Sequence, residues 1–317
     1  MRLTNRHGIL PALAACIAFD EYDRGDADYS VTELLSPARQ RTLLMRHDNE
    51  LSEDVADMIY RFIGKIGHTV LERAKVKGDV VEHRVAATVD GFRLSGKFDR
   101  LTANNALIDL KLMSVWEVIY GLKEDKVWQL NIYRWLAAQC GIRVHDLYIV
   151  GILRDWSVGE AERKARAGDG SYPQHQVVQI PIPVIDDAKV LDFIKLRIQA
   201  HERARNTPNW LPECTADERW ARPTTYALMK PSRKSAARVM ESRDALEQWA
   251  VDNSMADYVR DGRGVSVWTP RKGVYIQTRP GESVRCQRYC PAIDVCNQGK
   301  GLLLTAEEPA ADESSAA

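Results

Sequence analysis

The chain has 317 residues, 45% hydrophobic and 28% charged, and its 44 basic residues match its 44 acidic ones to give zero formal net charge. That length holds one large domain, or a core domain with a smaller module, and the composition is that of a folded protein rather than a disordered one. No apolar run is long enough to cross a bilayer, and bulk charge supplies no basic excess for nucleic acid, although a local basic patch beside an acidic metal site would cancel in the sum.

The apolar run from Ile9 to Phe19 is interrupted by Pro11 and followed by Asp20, Glu21, Asp23 and Arg24. It has no small-residue cleavage site, so it does not read as a signal peptide, and a cytoplasmic protein is expected. Ser30-Val-Thr-Glu33 has the pattern of a capping box ahead of Leu34 and Leu35. Over residues 53–76, Val55, Met58, Ile59, Phe62, Ile63, Ile66 and Val70 fall at helical spacing and predict an amphipathic helix, with His68 near its end.

The period then changes. Val81 to Val89 predicts a strand, Asp90-Gly91 a tight hairpin turn, and Phe92 to Leu101 the returning strand. Asn104-Asn105 makes another turn before a third strand, Ala106 to Leu112. A helix is expected from Val115 to Cys140 with Gly141 as its stop, then a strand from His145 to Leu153. Residues 157–173 are polar and read as a loop. Gln174 to Pro183 reads as an edge strand, because Pro181 and Pro183 cannot donate to a central ladder. Val184 to Asn206 predicts a helix, and the Pro/Trp-rich segment Pro208 to Pro223 a boundary. Beyond it a short strand, Ala236 to Met240, and a helix around Arg243 to Asp252 are expected, then a cysteine cluster and an acidic Ala/Ser-rich tail.

The meander and the helix after it carry the chemistry. Asp109 and Lys111 are two apart on a strand and so share a face, with Ile108, Leu110 and Leu112 expected on the other face in an apolar layer. Charges set into such a strand are costly unless they are paired or ligate metal. Gln129 and Tyr133 are four apart on the helix and share a face. Phosphodiester hydrolysis needs hard ligands for a divalent ion, an activated water and a cation for developing charge. Asp99 and Asp109 can be the ligands, Lys111 the cation, and His68 a further ligand. Singly, each has a blander reading: a solvated strand face, a surface histidine, a turn aspartate, a polar helix stripe. The order and spacing of the set set it apart.

The set His68, Glu82, Gly96-x-x-Asp99, Asp109-x-Lys111 and Gln129-x-x-x-Tyr133 resembles the RecB/Cas4-like branch of the PD-(D/E)XK nuclease superfamily, over about residues 53–155. The resemblance implies an α/β fold with a restriction-endonuclease-like core, a mixed central sheet flanked by helices. It implies Mg²⁺ or Mn²⁺ bound by His68, Asp99 and Asp109, catalytic assistance from Lys111, and DNA contact and support of the site by Gln129 and Tyr133. Glu82 matches a less regular acidic position.

Near the C-terminus, Cys286-x3-Cys290-Pro-x4-Cys296 places three thiols in eleven residues. Zinc knuckles use two close pairs. Three close cysteines and a distant fourth suit an iron–sulfur cubane better, and Cys214 is the best fourth, with zinc or unligated thiols as the alternatives. The triplet also looks like that of iron–sulfur nucleases, which implies a [4Fe-4S] cluster on Cys214, Cys286, Cys290 and Cys296. In those families the first cysteine precedes the core, whereas Ser30 to His47 has none here. Cys16 is a possible alternative ligand but lies in an apolar run, where a buried structural thiol is the blander reading, and Cys140, at a helix end amid apolar residues, also reads as structural.

Arg222, Lys230, Arg233, Lys234 and Arg238, interleaved with Trp220 and Tyr226, could track single-stranded DNA or form a solvated basic surface. Arg163, Lys164 and Arg166 read as loop solubility. The expected organisation is an N-terminal segment (1–50), a nuclease core (51–206), an iron–sulfur and DNA-contact region (207–304) and a disordered acidic tail (305–317). The expected activity is a deoxyribonuclease, by preference an exonuclease, acting on single strands or duplex ends in phage or mobile-element recombination or repair. A helicase or annealing partner is implied by the resemblance alone, and no membrane. The alternatives are a catalytically inactive DNA-binding scaffold with a cysteine–metal site, against which Asp99, Asp109 and Lys111 argue, and a cysteine–zinc module fused to an unrelated α/β domain.

Overall fold

The computed structural model describes residues 2–19, 25–231 and 233–307, the last four of these by backbone alone, and divides into two units, 1–212 and 213–317. In the first unit β1 (Arg2–Thr4) is followed by α1 (Pro11–Ala18), β2 (Tyr29–Ser30), α2 (Val31–Leu35), α3 (Ala38–Arg46) and β3 (Ser52–Asp54), which returns to pair in parallel with β1. The capping box is formed. Ser30 Oγ accepts the Glu33 N–H at 3.1 Å and the Glu33 carboxylate accepts the Ser30 N–H at 2.9 Å, so α2 starts where β2 stops.

The helix expected over 53–76 is shorter than its apolar pattern. Asp54 caps a single 3-10 turn, Val55–Met58, and α4 runs Ile59–Arg73. The meander follows as β4 (Val80–Val89), β5 (Phe92–Leu101) and β6 (Ala106–Met113). Asp90 and Gly91 between β4 and β5 have φ of 50° and 86°, the type I′ geometry that matches strand twist. The single helix expected from 115 to 140 is two, α5 (Val115–Ile119) and α6 (Glu124–Gln139), because Gly121 adopts φ 100° between them. Next come β7 (Asp146–Leu153), α7 (Val158–Arg166), β8 (Val177–Ile182) and α8 (Asp187–Asn206). The helix α7 corrects the loop expected over 157–173. It buries only Ala161, is capped by Ser157, and is laced by Arg163–Glu160 and Arg166–Glu162 pairs, so no apolar period announces it.

The central sheet runs β2-β5-β6-β7-β8 with β4 on the other edge of β5. It is mixed: β2 with β5 and β6 with β7 are parallel, the other pairs antiparallel. As the prolines require, β8 is an edge strand. Leu94 and Phe98 of β5, Leu107 and Met113 of β6 and Ile149 of β7 share one core with Leu130 and Leu136 of α6 and Ile194 of α8. Each such side chain contributes about 1.5–3 kcal/mol on burial. Leu107 and Met113 share the face of Asp109 and Lys111, which corrects the expected layering: the charged pair lies on the side of the main core. Leu110 faces the other way, toward Gly67 of α4.

The second unit contains β9 (Ala221–Arg222), β10 (Thr225–Met229), β11 (Arg238–Met240), α9 (Arg243–Asp252), β12 (Ala256–Arg260), β13 (Ser266–Pro270), β14 (Tyr275–Arg279), β15 (Glu282–Ser283), α10 (Val284–Arg288) and α11 (Asn297–Glu307). The sheet β11-β10-β14 packs Leu228 against Leu246 and Ala250 of α9. The strands β12 and β13 form a hairpin, and β15 pairs with β9. Of the expected acidic tail, residues 305–307 belong to α11 and 308–317 lie outside the described residues. No described helix is long and apolar enough to cross a membrane.

Candidate metal centre and cysteine group

A fork in the sheet builds the site. The strands β5 and β6 pair only at Arg100↔Ile108 and Leu101↔Leu107. The next rung would join Asp99 to Asp109, and there the strands part. Further along, the same edge of β5 is taken by β2 at Leu94 and Ser95. Parting the ladder leaves the Leu110 N–H without a strand partner, which is costly when buried. Asp99 Oδ2 accepts it at 2.7 Å, and this fixes the carboxylate at the fork.

Around Asp99 the elements converge. His68 of α4 brings Nδ1 to 3.3 Å from Asp99 Oδ2. One ligand atom each of His68, Glu82 and Asp99 lies within 4.8 Å of the others, a set suited to a divalent cation. Glu82 falls out of the β4–β5 register between Val81↔Arg100 and His83↔Phe98 and sits at φ 49°, a conformation that costs a non-glycine residue about 1–3 kcal/mol and that gathers at functional sites. It is also paired with Lys97. Glu82, the least regular member of the sequence set, is thus in the close trio. Asp109, an expected ligand, is not. It is buried, and its Oδ1 accepts a hydrogen bond from Lys111 Nζ at 3.0 Å. The ammonium also lies 2.8 Å from Oδ2, so Lys111 straddles the carboxylate.

The charges act on one another. Burial raises the Asp109 carboxyl above the usual range, with Lys111 opposing and Asp99 adding to it. Burial works against the Lys111 ammonium, yet the charge of Asp109, the hydrogen bond to it and the charge of Asp99 hold Lys111 above its ordinary value. The hydrogen bond to Asp99 raises His68, against desolvation.

Two further devices hold the site: Arg100, which was not named from the sequence, and the Gln129–Tyr133 pair, which was. Arg100, next to Asp99, donates to the carbonyls of Leu71 at 2.8 Å and Ala74 at 2.7 Å, capping the C-terminal end of α4, and pairs with Asp79 at 2.7 Å in a buried position. It ties the helix of His68 to the strand of Asp99. On α6, Gln129 Nε2 donates to Tyr133 Oη at 3.2 Å, and the Tyr133 ring lies on Gly96. Asn131 between them is fully buried and structural: its amide donates to the carbonyls of Val127 and Pro183 and accepts from Ile185.

In the second unit, Cys286, Cys290 and Cys296 all act electrostatically on Cys214, which burial, Glu218 and those thiols push up to about 12. Cys296 Sγ accepts the Gly299 N–H at 3.4 Å, and Cys290 accepts the amide of Ala292. Gln298 grips the Cys214 backbone twice, accepting its N–H at 2.9 Å and donating to its carbonyl at 3.1 Å. Among the described residues, no three of these thiols lie within 4.8 Å of one another, in contrast to the His68 trio. Cys16 and Cys140 are exposed, which corrects their reading as buried thiols. The expected aromatic–basic track is also altered. Trp220 lies against Arg285 and Tyr289, and Tyr226 packs into the α9 core, while Arg233 and Lys234 are exposed.

Comparison with known proteins places residues 7–297 on a family model described as the PD-(D/E)XK nuclease superfamily. No curated protein sequence matches the chain. Among solved structures the chain is similar to SSO0001, with a TM-score of 0.38 and 15% identity over 56% of this chain and 78% of that one. It is also similar to a candidate exonuclease from Eubacterium rectale, with a TM-score of 0.29 and 14% identity over 48% of this chain and 53% of that one. Structural likeness this low carries no argument, and the family match stands without it.

Proposed function

The chain belongs to the PD-(D/E)XK nuclease superfamily, and on that premise we propose that it is a Mg²⁺- or Mn²⁺-dependent deoxyribonuclease that degrades DNA from single strands or duplex ends as an exonuclease. The observation that carries this reading is the fork between β5 and β6, where Asp99, Asp109 and Lys111 meet His68 and Glu82. The donor set fits a hard divalent ion: His68, Glu82 and Asp99 are grouped, and the buried Asp109 carboxylate is held by Lys111. Bound there, such an ion polarises the phosphate and acidifies a water.

The protein's own groups do the rest. Lys111, fixed by Asp109, presents its ammonium to the charge that builds on the phosphate and orients the attacking water. Burial of the pair strengthens that field relative to bulk water. Tyr133, buried on Gly96, and its partner Gln129 brace β5 beside the fork, and Arg233 and Lys234 are exposed and suited to phosphate contacts. The test uses end-labelled linear DNA with Mg²⁺ or Mn²⁺. Wild type should release nucleotides, and Asp109→Ala and Lys111→Ala should not. Equal cleavage by all three would defeat the assignment, and background cleavage by wild type would leave a scaffold that only binds DNA. A recombination or repair role with a helicase or annealing partner is the context this activity suits.

The four cysteines of the second unit are assigned to a structural [4Fe-4S] cluster. Support comes from their mutual electrostatic influence and the N–H groups given to Cys290 and Cys296. Visible absorbance with matching iron and sulfide in anaerobically purified protein tests this, and stoichiometric zinc without iron would refute it.

A further inference from the structure

The helix α5 begins two residues after β6, the strand of Asp109 and Lys111, and its two sides differ. Val115, Val118 and Ile119 pack on the main core. Trp116 and Tyr120, four apart and so on one face, turn outward. They are 53% and 80% exposed and stacked on each other, with ring centroids 5.7 Å apart and planes 15° from parallel. Large aromatic rings held together in solvent mark a binding surface rather than an ordinary helix exterior.

The platform is rigidly mounted. Asp155, after β7, accepts the hydroxyl of Ser114 at 2.6 Å and the N–H of Val115 at 2.7 Å, while Ser114 caps the helix through the Trp116 N–H. It is also near the chemistry: the five residues from Lys111 to Trp116 span at most ~18 Å. A cation is anchored at the end of the same strand. The Arg154 N–H donates to the carbonyl of Met113, the last residue of β6, at 3.0 Å, and its guanidinium lies over the ring of Tyr60 at 5.2 Å. Tyr60 is exposed on α4, two turns before His68. Exposed aromatic faces with an adjacent guanidinium suit a chain of stacked bases on a phosphate backbone, since every base has a π-face and every phosphate a charge.

We propose that the Trp116–Tyr120 stack is a nucleobase platform that holds unpaired bases of a single DNA strand beside the metal centre, with Arg154 on its phosphates. This rests on the nuclease reading and narrows its substrate to DNA with unpaired bases at the site. A paired duplex end keeps its base faces stacked on each other, so the platform favours single strands.

The experiment measures binding of a fluorescent oligothymidylate, and of an abasic strand of equal length, with Ca²⁺ replacing Mg²⁺. Full-length wild type is compared with Trp116→Ala, Tyr120→Ala and Trp116→Phe. Wild type should prefer the thymidylate to the abasic strand by about tenfold or more, and each alanine variant should lose most of that preference. Trp116→Phe, which keeps a π-face, should retain much of it. Unchanged thymidylate binding by the alanine variants overturns the proposal and leaves the pair to a protein partner. Equal loss on both strands also overturns it, because the rings then do not act through bases. Asp109→Ala in the cleavage assay judges the nuclease reading separately, so the two can fail independently.

Discussion

The ring of Tyr133 occupies the space that a side chain at Gly96 would need: a Cβ at position 96 would sit 2.5 Å from Tyr133 Cε1, 2.7 Å from its Cδ1 and 2.8 Å from Val31 Cγ2. The glycine of the Gly-x-x-Asp pattern therefore serves α6 packing three residues from the fork. Gly96→Ala should destabilise the protein by about 1–3 kcal/mol, the usual range for overpacking a close-packed site. It should also lower cleavage by moving Tyr133 and its partner Gln129. Combined with Tyr133→Ala the two losses should sum to less than their separate values, because the offending ring is gone. Denaturant midpoints of the four proteins in that cycle decide it, and simple additivity would show that the ring is not what excludes a methyl group.

Asp109 and Lys111 should separate stability from catalysis. Lys111→Met strands a buried carboxylate and Asp109→Ala strands a half-buried ammonium, each at about 1–3 kcal/mol. The double variant removes both charges, so it should recover stability relative to the singles. Its cleavage should stay as low as theirs, with losses of about 10²–10³ or more. Thermal melts beside the nuclease assay test the split, and a double variant less stable than both singles would refute the pairing.

The site should make stability fall with pH when divalent ions are chelated. The Asp99 hydrogen bond raises His68, and burial raises Asp109. In both cases the folded protein keeps its proton to higher pH than the unfolded chain does. By linkage, the His68 contribution is complete below about pH 6.5 and is lost as pH rises through its folded pKa. The Asp109 penalty sets in above about pH 4 and grows until its folded pKa is passed. Mg²⁺ or Mn²⁺ must displace these protons, so its stabilising effect should grow with pH. Melting curves with EDTA and with excess Mg²⁺, from about pH 5 to 8, should diverge upward, and His68→Ala should flatten the upper part of that divergence. A gap independent of pH would show that these groups do not hold the ion.

Arg100 should act on cleavage through His68. Removing it takes a charged donor from the carbonyls at the end of α4 and the countercharge from Asp79, which keeps the Ala103 N–H, a loss of about 3–5 kcal/mol when one member of a buried pair is deleted. Arg100→Lys keeps the charge but lacks the planar fork that reaches Asp79 and two carbonyls together, so it should recover part of the stability and less of the Mg²⁺ affinity. Mg²⁺ affinity equal to wild type in Arg100→Lys would limit Arg100 to stability alone.

The meander and its polar set were legible because strand alternation and the Asp90-Gly91 turn are local signals. The fork was not, since a strand's sequence does not say where its ladder stops. Glu82 joins the trio through one left-handed φ that no periodicity encodes. The break at Gly121 was hidden by the apolar residues on both sides of it. The helix α7 was hidden for the opposite reason, as it buries one alanine and shows no apolar stripe. Most of the second unit's strands are short and half-exposed, so their alternation never rose above that of loops, whereas the cysteine spacing stood out because thiols are scarce.

The six cysteines should sort into two classes by one substitution. Serine offers a hard oxygen in place of the soft thiolate that iron prefers. Cys214→Ser should therefore deplete the cluster. Metal binding of this kind is folding free energy for the segment it closes, so the link from Cys214 to α10 and α11 should then rest on Gln298, Arg219, Arg285 and the β9–β15 pairing. Visible absorbance should fall and proteolysis within residues 213–300 should accelerate, while the first unit, whose core is separate, should keep its melting transition. Cys140→Ser changes an exposed thiol and should stay within about 0.5 kcal/mol of wild type, with absorbance unaltered. Iron retained in full by Cys214→Ser would remove Cys214 from the ligand set and leave Cys286, Cys290 and Cys296 to find their fourth partner elsewhere.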